Sequence, residues 1–303
     1  MSIAPVIFSL TLVASTPAFA GNMDDVKGWH VSRTVTVNAP AELVYGYVAD
    51  FNTWPTWTNW GSDKDPEATW TFSGEPGAAG HSMVWDGPEL GNGEMVLTAV
   101  SENQGVEYDL FFDGNKKKPN PGVFTLAEAD GVTTVSWENA GHMGALGRAF
   151  FKKKVEAMIG ADFEVGLNRM AAKAEADHMA ALVAAAQAKL DEATAASTAA
   201  ATAAETARAG ATAAKTAADE ARAAADNAKR RADKKTLGEA ADAAATAAEE
   251  AAKAATEAEA KAAEAAKAVE AAKAELDALA PVTLTAPEAP AAPAAPEAPA
   301  APE

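Results

Sequence analysis

Apolar and polar positions alternate through residues 29–37, with Val31, Arg33, Val35 and Val37 on one side and Ser32, Thr34 and Thr36 on the other. A β-branched stretch with this period predicts a strand. Asn38-Ala39-Pro40 stops it, and Pro40 followed by Glu42 suits the first turn of a helix. Leu43, Val44, Tyr47 and Val48 give that helix an apolar face ending near Asp50. Beyond it, Trp54, Trp57 and Trp60 fall three residues apart on an irregular segment. Six further strands are predicted at 69–73, 82–85, 93–100, 106–112, 122–127 and 133–138, separated by turn sequences such as Gly-Glu-Pro-Gly and Ala-Asp-Gly. Strands joined this tightly must pair antiparallel, because a parallel pair needs a crossover.

From Gly147 the period becomes helical. Phe150, Phe151, Val155, Met158, Ile159, Phe163, Leu167 and Met170 recur on one face, with Lys152-Lys153-Lys154 and Glu156 off it. A curved seven-stranded sheet and one apolar-faced helix bury each other best if the sheet wraps around the helix. The expected class is therefore α+β.

The remaining chain follows other rules. Residues 3–13 are an apolar run followed by Ala18-Phe19-Ala20, the layout of a signal peptide cleaved after Ala20. This implies export to a periplasmic or secreted setting. Translation from Met23 would instead leave a cytoplasmic protein. Residues 176–280 form an Ala-rich arm, expected to be helical, with breaks near Gly210 and at Thr236-Leu237-Gly238-Glu239, which fits a capping box. An extended stalk and a folded hairpin are both compatible with it. Self-association or a protein partner would use the Ala faces of this coiled-coil-like arm. From 281 the chain is a Pro/Ala-rich disordered tail. Pro287, Pro290, Pro293, Pro296, Pro299 and Pro302 recur every third residue, as in polyproline II.

Charge and composition narrow the function. A formal charge of −18 repels phosphate backbones, which argues against a nucleic-acid partner. The absence of cysteine excludes disulfides, thiolate metal sites and a Cys nucleophile. All 7 Trp, 3 Tyr and 10 Phe lie at or before Phe163, so only the first half can build an aromatic core. No stretch is long enough for a membrane span, and no metal-ligand spacing or cofactor motif occurs. Lys116-Lys117-Lys118 and Lys152-Lys153-Lys154 read as solvated faces in preference to docking points for an anionic membrane.

The segments Ala39-Pro40-Ala41-Glu42, Val48-Ala49-Asp50-Phe51 and Trp54-x-x-Trp57 resemble the opening of the START/polyketide cyclase (SRPBCC) superfamily. So do Phe72-Ser73-Gly74-Glu75-Pro76-Gly77, Gly91-Asn92-Gly93-Glu94-Met95 and Val106-Glu107-Tyr108-Asp109-Leu110. The run Met158-Ile159-Gly160-Ala161-Asp162-Phe163-Glu164 is similar to the closing helix of the polyketide cyclase/dehydrase and lipid-transport branch. The resemblance covers about residues 28–175, within a domain of 21–175, and excludes the arm. It implies a helix-grip fold with an apolar cavity between sheet and closing helix. It also implies binding of a lipid- or polyketide-like molecule, with cyclase or dehydratase chemistry in some members.

On that expectation the candidate ligand contacts are Trp54, Trp57, Met83, Trp85, Phe111, Trp137, Met158 and Phe163. Indoles offer broad apolar contact with a polar edge, and Met adapts to variable shapes. An enzyme would need a polar group inside. His81, Glu94, Asp109 and His142 are the candidate acid–base residues. Three functions follow: a carrier of a hydrophobic small molecule, a cyclase/dehydratase, or a structural adaptor that oligomerises through the arm.

Overall fold

The computed structural model describes residues 22–114 and 118–279. The segment read as a signal peptide and the Pro-rich tail lie outside these, as do two of the three lysines at 116–118. The chain divides into two units, residues 1–180 and 181–303.

The first unit is built on one antiparallel sheet. Its strands are β1 (Gly28–Val37), β2 (Thr69–Ser73), β3 (Ser82–Gly87), β4 (Gly91–Ser101), β5 (Gly105–Phe112), β6 (Asn120–Ala129) and β7 (Val132–His142). They lie in the order β1-β7-β6-β5-β4-β3-β2, so the connections from β2 to β7 are all hairpins between neighbours. At the β6–β7 turn, Asp130 and Gly131 take φ of 53° and 76°, the left-handed pair that a two-residue hairpin favours. A register shift between Leu97 and Ala99 in β4 bends the sheet. Helix α1 (Ala41–Ala49) buries Ala41, Val44, Val48 and Ala49. Its first free N–H, at Ala41, is capped by the Glu128 carboxylate of β6 at 2.7 Å.

The expected long helix is in two pieces. Helix α2 (Ala145–Phe150) ends at Phe151, and α3 (Lys152–Asn227) begins directly after it. The interruption changes the buried face. Ile159 packs against the core, and Phe163, Leu167, Met170, Ala171 and Ala174 are buried. Leu146, Phe150, Phe151 and Met158 are exposed instead. The expectation that Phe150 and Phe151 share the core face is therefore corrected. At Phe151 the backbone leaves helical geometry (φ −120°, ψ −12°), so the residues before it are no longer in phase with those after. Each fully buried large side chain on α3 contributes about 1.5–3 kcal/mol. Close approach is possible because Gly160 leaves room for the Arg33 guanidinium of β1, where a Cβ would overlap. Arg33 Nε then donates to Glu164 at 2.6 Å. The architecture is α+β, a sheet gripping the first part of α3.

The second unit contains the rest of α3 and helix α4 (Arg231–Leu279). The breaks expected near 210 and 236 lie elsewhere: α3 continues through Gly210, and the chain leaves helix at 228–230. Thr236 does not start a helix; its hydroxyl donates to the Ala232 carbonyl within α4. Three ion pairs run between the helices, Lys189–Glu275 at 2.6 Å, Arg208–Glu259 at 2.6 Å and Arg222–Asp242 at 3.2 Å. As one number rises the other falls, so the helices are antiparallel and the arm is a hairpin. The covered positions alternate three and four apart, from Ala186 to Ala225 on one helix and from Ala241 to Leu279 on the other. Thr194, Thr198, Thr202 and Thr206 each return a hydroxyl to the carbonyl four residues back, which satisfies them within the helix. Among the described residues, no helix is long and apolar enough to cross a membrane.

Candidate functional site

A cavity of about 570 Å³ lies in the first unit, bounded by the inner faces of β3, β4, β5 and β7, the segment after α1, and α3. Three of its aromatics are seated in the same way. Trp85 lies opposite Gly93, Tyr108 opposite Gly122, and Trp29 opposite Gly141 across their strand pairs. In each case a Cβ on the glycine would overlap the ring, so the missing side chain lets the ring lie across the neighbouring strand. Met83 and Met95, themselves opposite each other, complete the wall beside Trp85. Phe112, Met158, Lys64 and Glu89 line the cavity and are exposed, which marks its opening.

The three-Trp segment divides its work. Trp57 is fully buried and does not line the cavity. Trp54 is 3% exposed, donates its indole N–H to the Val48 carbonyl at 3.2 Å, and shows one side to the cavity. Trp60 is half-buried and lies edge-on to both Trp137 and Phe163.

The polar content is small and concentrated. Tyr108 Oη accepts the Trp137 indole N–H at 2.8 Å and a weaker bond from Asn139 Nδ2 at 3.4 Å. Asn139 Nδ2 is held mainly by the Pro121 carbonyl, at 2.8 Å. Burial pushes the Tyr108 phenol far up; the two incoming hydrogen bonds pull the other way and are outweighed. The phenol therefore keeps its proton, and that proton has no acceptor among the described residues. Asp162, also at the cavity, accepts from Asn59 Nδ2 at 2.6 Å.

Of the eight expected contacts, six line the cavity: Trp54, Met83, Trp85, Trp137, Met158 and Phe163. Trp57 and Phe111 do not. Tyr108, Leu110 and Phe112 face the cavity, so strand alternation sends Phe111 to the opposite side of β5. Trp29, Trp70, Met95, Tyr108, Leu110 and Asn139 were not anticipated. For Tyr108 and Asn139 the signal was available, since both fall on the inward parity of their strands.

None of the four candidate acid–base residues lines this cavity. His81 is 1% exposed and fully engaged: Nε2 accepts the Phe51 N–H at 3.0 Å, which places its proton on Nδ1, 3.0 Å from the Ser73 carbonyl. Its ring stacks on Phe51, so it ties the end of α1 to the β2–β3 hairpin. Glu94 sits opposite Phe111 on the far side of β4. Asp109 and His142 line a separate hollow of about 410 Å³ together with Glu107 and Asp25. Burial raises the Asp109 carboxyl there; burial and the neighbouring Asp109 raise Glu107. Among the described residues, no group of three acidic or His side chains is placed to hold a metal ion.

A curved antiparallel sheet closed by a helix over a ligand-sized apolar cavity defines the helix-grip class. Residues 28–175, just under half of the chain, match the family described as polyketide cyclase/dehydrase and lipid transport. No curated protein matches the chain. Among solved structures, similar chains include DynU16 of the dynemicin biosynthetic locus, at 17% identity and TM-score 0.36, over 49% of this chain and 48% of that one. A Thermobifida fusca protein solved by NMR is 23% identical, with TM-score 0.38 over 48% of this chain and 92% of its own. The Aha1 dimer from Colwellia psychrerythraea is 14% identical, with TM-score 0.37 over 48% and 96%. The match spans about half the length of DynU16.

Proposed function

We propose that the first unit binds a hydrophobic small molecule, lipid- or polyketide-like, between its sheet and α3. The observation that carries this reading is the 570 Å³ cavity, whose wall is mostly Trp, Met, Phe and Leu. That volume is in the range of drug-sized ligand sites, about 300–1,000 Å³. The Tyr108 proton makes an oxygen acceptor on the ligand, a carbonyl or hydroxyl, the preferred polar feature. An unmet donor at a buried position is costly until such a group arrives.

The test uses the full chain. Extraction with organic solvent followed by mass spectrometry looks for co-purified ligand, and an anthroyloxy-labelled fatty acid serves as the displacement probe. Saturable binding of one probe per chain is expected. A chain that binds no apolar probe under any condition overturns the reading.

The cyclase/dehydratase alternative loses its four anticipated acid–base residues from the cavity. Its remaining requirement would fall on Tyr108 and Asp162. The arm is read as an antiparallel coiled coil with an Ala seam, serving as a spacer for the binding domain. Each Ala contact is worth at most about 0.8 kcal/mol, so its stability is the sum of many. Light scattering of the full chain against a chain ending after residue 180 tests the adaptor reading, which requires association that depends on the arm. An exported setting is part of this proposal, tested by N-terminal sequencing of the mature protein.

A further inference from the structure

We propose that α2 and the first turns of α3 dock this protein onto an anionic lipid bilayer. Helix α2 has the sequence Ala-Leu-Gly-Arg-Ala-Phe, and among the described residues none in it is buried. Leu146 is 76% exposed, Phe150 75% and Phe151 59%, so three large apolar side chains project from one short stretch into water. Single exposed apolar residues are ordinary; a cluster on one stretch marks an interaction surface.

The charges beside them select the partner. Arg148, Lys152, Lys153 and Lys154 fall within the same stretch, in a chain whose formal charge is −18. Glu156, the first carboxylate on α3, accepts the His30 N–H at 3.0 Å and pairs with Lys152 at 3.6 Å. Apolar side chains interleaved with lysine and arginine are matched by an interface with hydrocarbon below and negative charge above. A bilayer containing acidic headgroups is such an interface. The lysine run at 152–154, read from sequence as a solvated face in preference to a docking point for an anionic membrane, gains the second role once Phe150 and Phe151 are placed beside it in water.

The position adds a second argument. Met158, one turn beyond the lysines, is 59% exposed and lines the opening of the cavity. A bilayer contacting α2 would lie next to that opening, so an apolar ligand could cross without passing through bulk water. The docking surface itself does not depend on the cavity being occupied.

The experiment is co-sedimentation of the full chain with vesicles of phosphatidylcholine alone, or of phosphatidylcholine with one-third phosphatidylglycerol. Binding to the anionic vesicles is expected to be about tenfold or more stronger, and to fall when salt is raised to about 0.5 M. The variant Leu146→Ser/Phe150→Ser/Phe151→Ser should lose about tenfold while keeping the wild-type thermal transition, since it alters only exposed side chains. The variant Lys152→Gln/Lys153→Gln/Lys154→Gln should reduce anionic binding to the neutral-vesicle level. Absence of binding, or equal binding to both vesicles, overturns the proposal. So does a dimer in light scattering that the serine variant dissociates, because a second copy would then cover this face. Probe displacement on the same variants reports the cavity separately, so failure of the docking surface and failure of the ligand site are distinguishable.

Discussion

The indole of Trp137 and the ring of Phe163 lie with centroids 3.7 Å apart and planes within 5° of parallel. Trp137 belongs to β7 and Phe163 to α3, so this stack is a direct apolar join between the sheet and the helix it grips. Trp57 and Trp60 meet the same indole edge-on at 5.7 and 6.0 Å, and its N–H is spent on Tyr108. Phe163→Ala should therefore cost about 3–5 kcal/mol, the range for removing a buried Phe. Urea unfolding followed by near-ultraviolet circular dichroism measures it. A loss under about 1 kcal/mol would show that the helix is held elsewhere.

Filling the cavity should separate binding from stability. Leu110 is half-buried and faces the empty space from β5. Leu110→Trp should place the larger ring in that space and weaken the fatty-acid probe by about tenfold or more. The fold should lose no more than about 1–3 kcal/mol, as for overpacking. Unchanged probe affinity would mean that the probe binds outside the cavity.

Tyr108→Phe removes one oxygen and leaves the shape. The Trp137 N–H would lose its acceptor, for a stability cost of about 1–3 kcal/mol. The informative comparison is between two ligands. A probe with a carbonyl or hydroxyl should lose affinity beyond the loss seen with a plain hydrocarbon, and equal losses would remove Tyr108 from recognition. Isothermal titration with both probes on both proteins gives the comparison.

The strands were legible because alternation and turn residues are local signals. All seven are present, with ends extended by zero to four residues where sheet pairing continues past the alternating stretch. The site was legible only where side-chain direction follows from that alternation. Phe111 and Phe112 are adjacent and equally apolar, and the register starting at Tyr108 decides that Phe112 faces in. Trp57 and Trp60 sit on irregular backbone, where no period assigns a face. The role of His81 depends on Phe51, thirty residues away in sequence, and no local pattern reports that contact. Phe150 and Phe151 continue the helical period numerically, but the break at Phe151 cancels the phase. Composition alone cannot reveal such a break. In the arm, the even distribution of Ala hid the seam: burial follows a three–four alternation that the sequence, Ala on nearly every face, does not single out.

Asp65 should govern part of the acid limb of stability. Its side chain is buried, and burial alone would raise the carboxyl. Hydrogen bonds from the backbone N–H groups of Leu90, Glu89, Glu67 and Ala68 outweigh that and hold it below the ordinary carboxylate range. Two of these are 2.9 Å long and fix the β3–β4 turn to the loop before β2. With the folded value depressed, the stabilisation is present above the unfolded value near 3.8 and disappears as pH falls through the folded one. Asp65→Asn should flatten this limb in urea titrations below pH 4. An unchanged acid profile would assign the limb to other carboxylates.

The alkaline limb should be set mainly by Tyr47 and Tyr108, which differ in exposure, with a further contribution from Tyr45, raised by burial and by the charge of Glu102. Burial first, then the hydrogen bond to Asp177 and its negative charge, push Tyr47 up to about 12. Tyr47 donates to Asp177 Oδ2 at 2.5 Å and so links α1 to α3. Tyr108 is pushed further, by burial. Both folded values lie above the unfolded value of 10.0, so the folded chain holds protons that the unfolded chain releases. Their stabilisation is complete below pH 10 and is lost as pH rises, through about 12 for Tyr47 and beyond for Tyr108. Tyr47→Phe should remove the earlier part of that decline and leave the later part. Tyr108→Phe, already weaker at neutral pH, should remove the later part. Unfolding midpoints measured across this range, with phenolate absorbance recorded in parallel, assign each step. A phenolate signal from folded Tyr108 near pH 10 would mean that water reaches its hydroxyl, and the cavity would then be wet at the point where it needs to be dry.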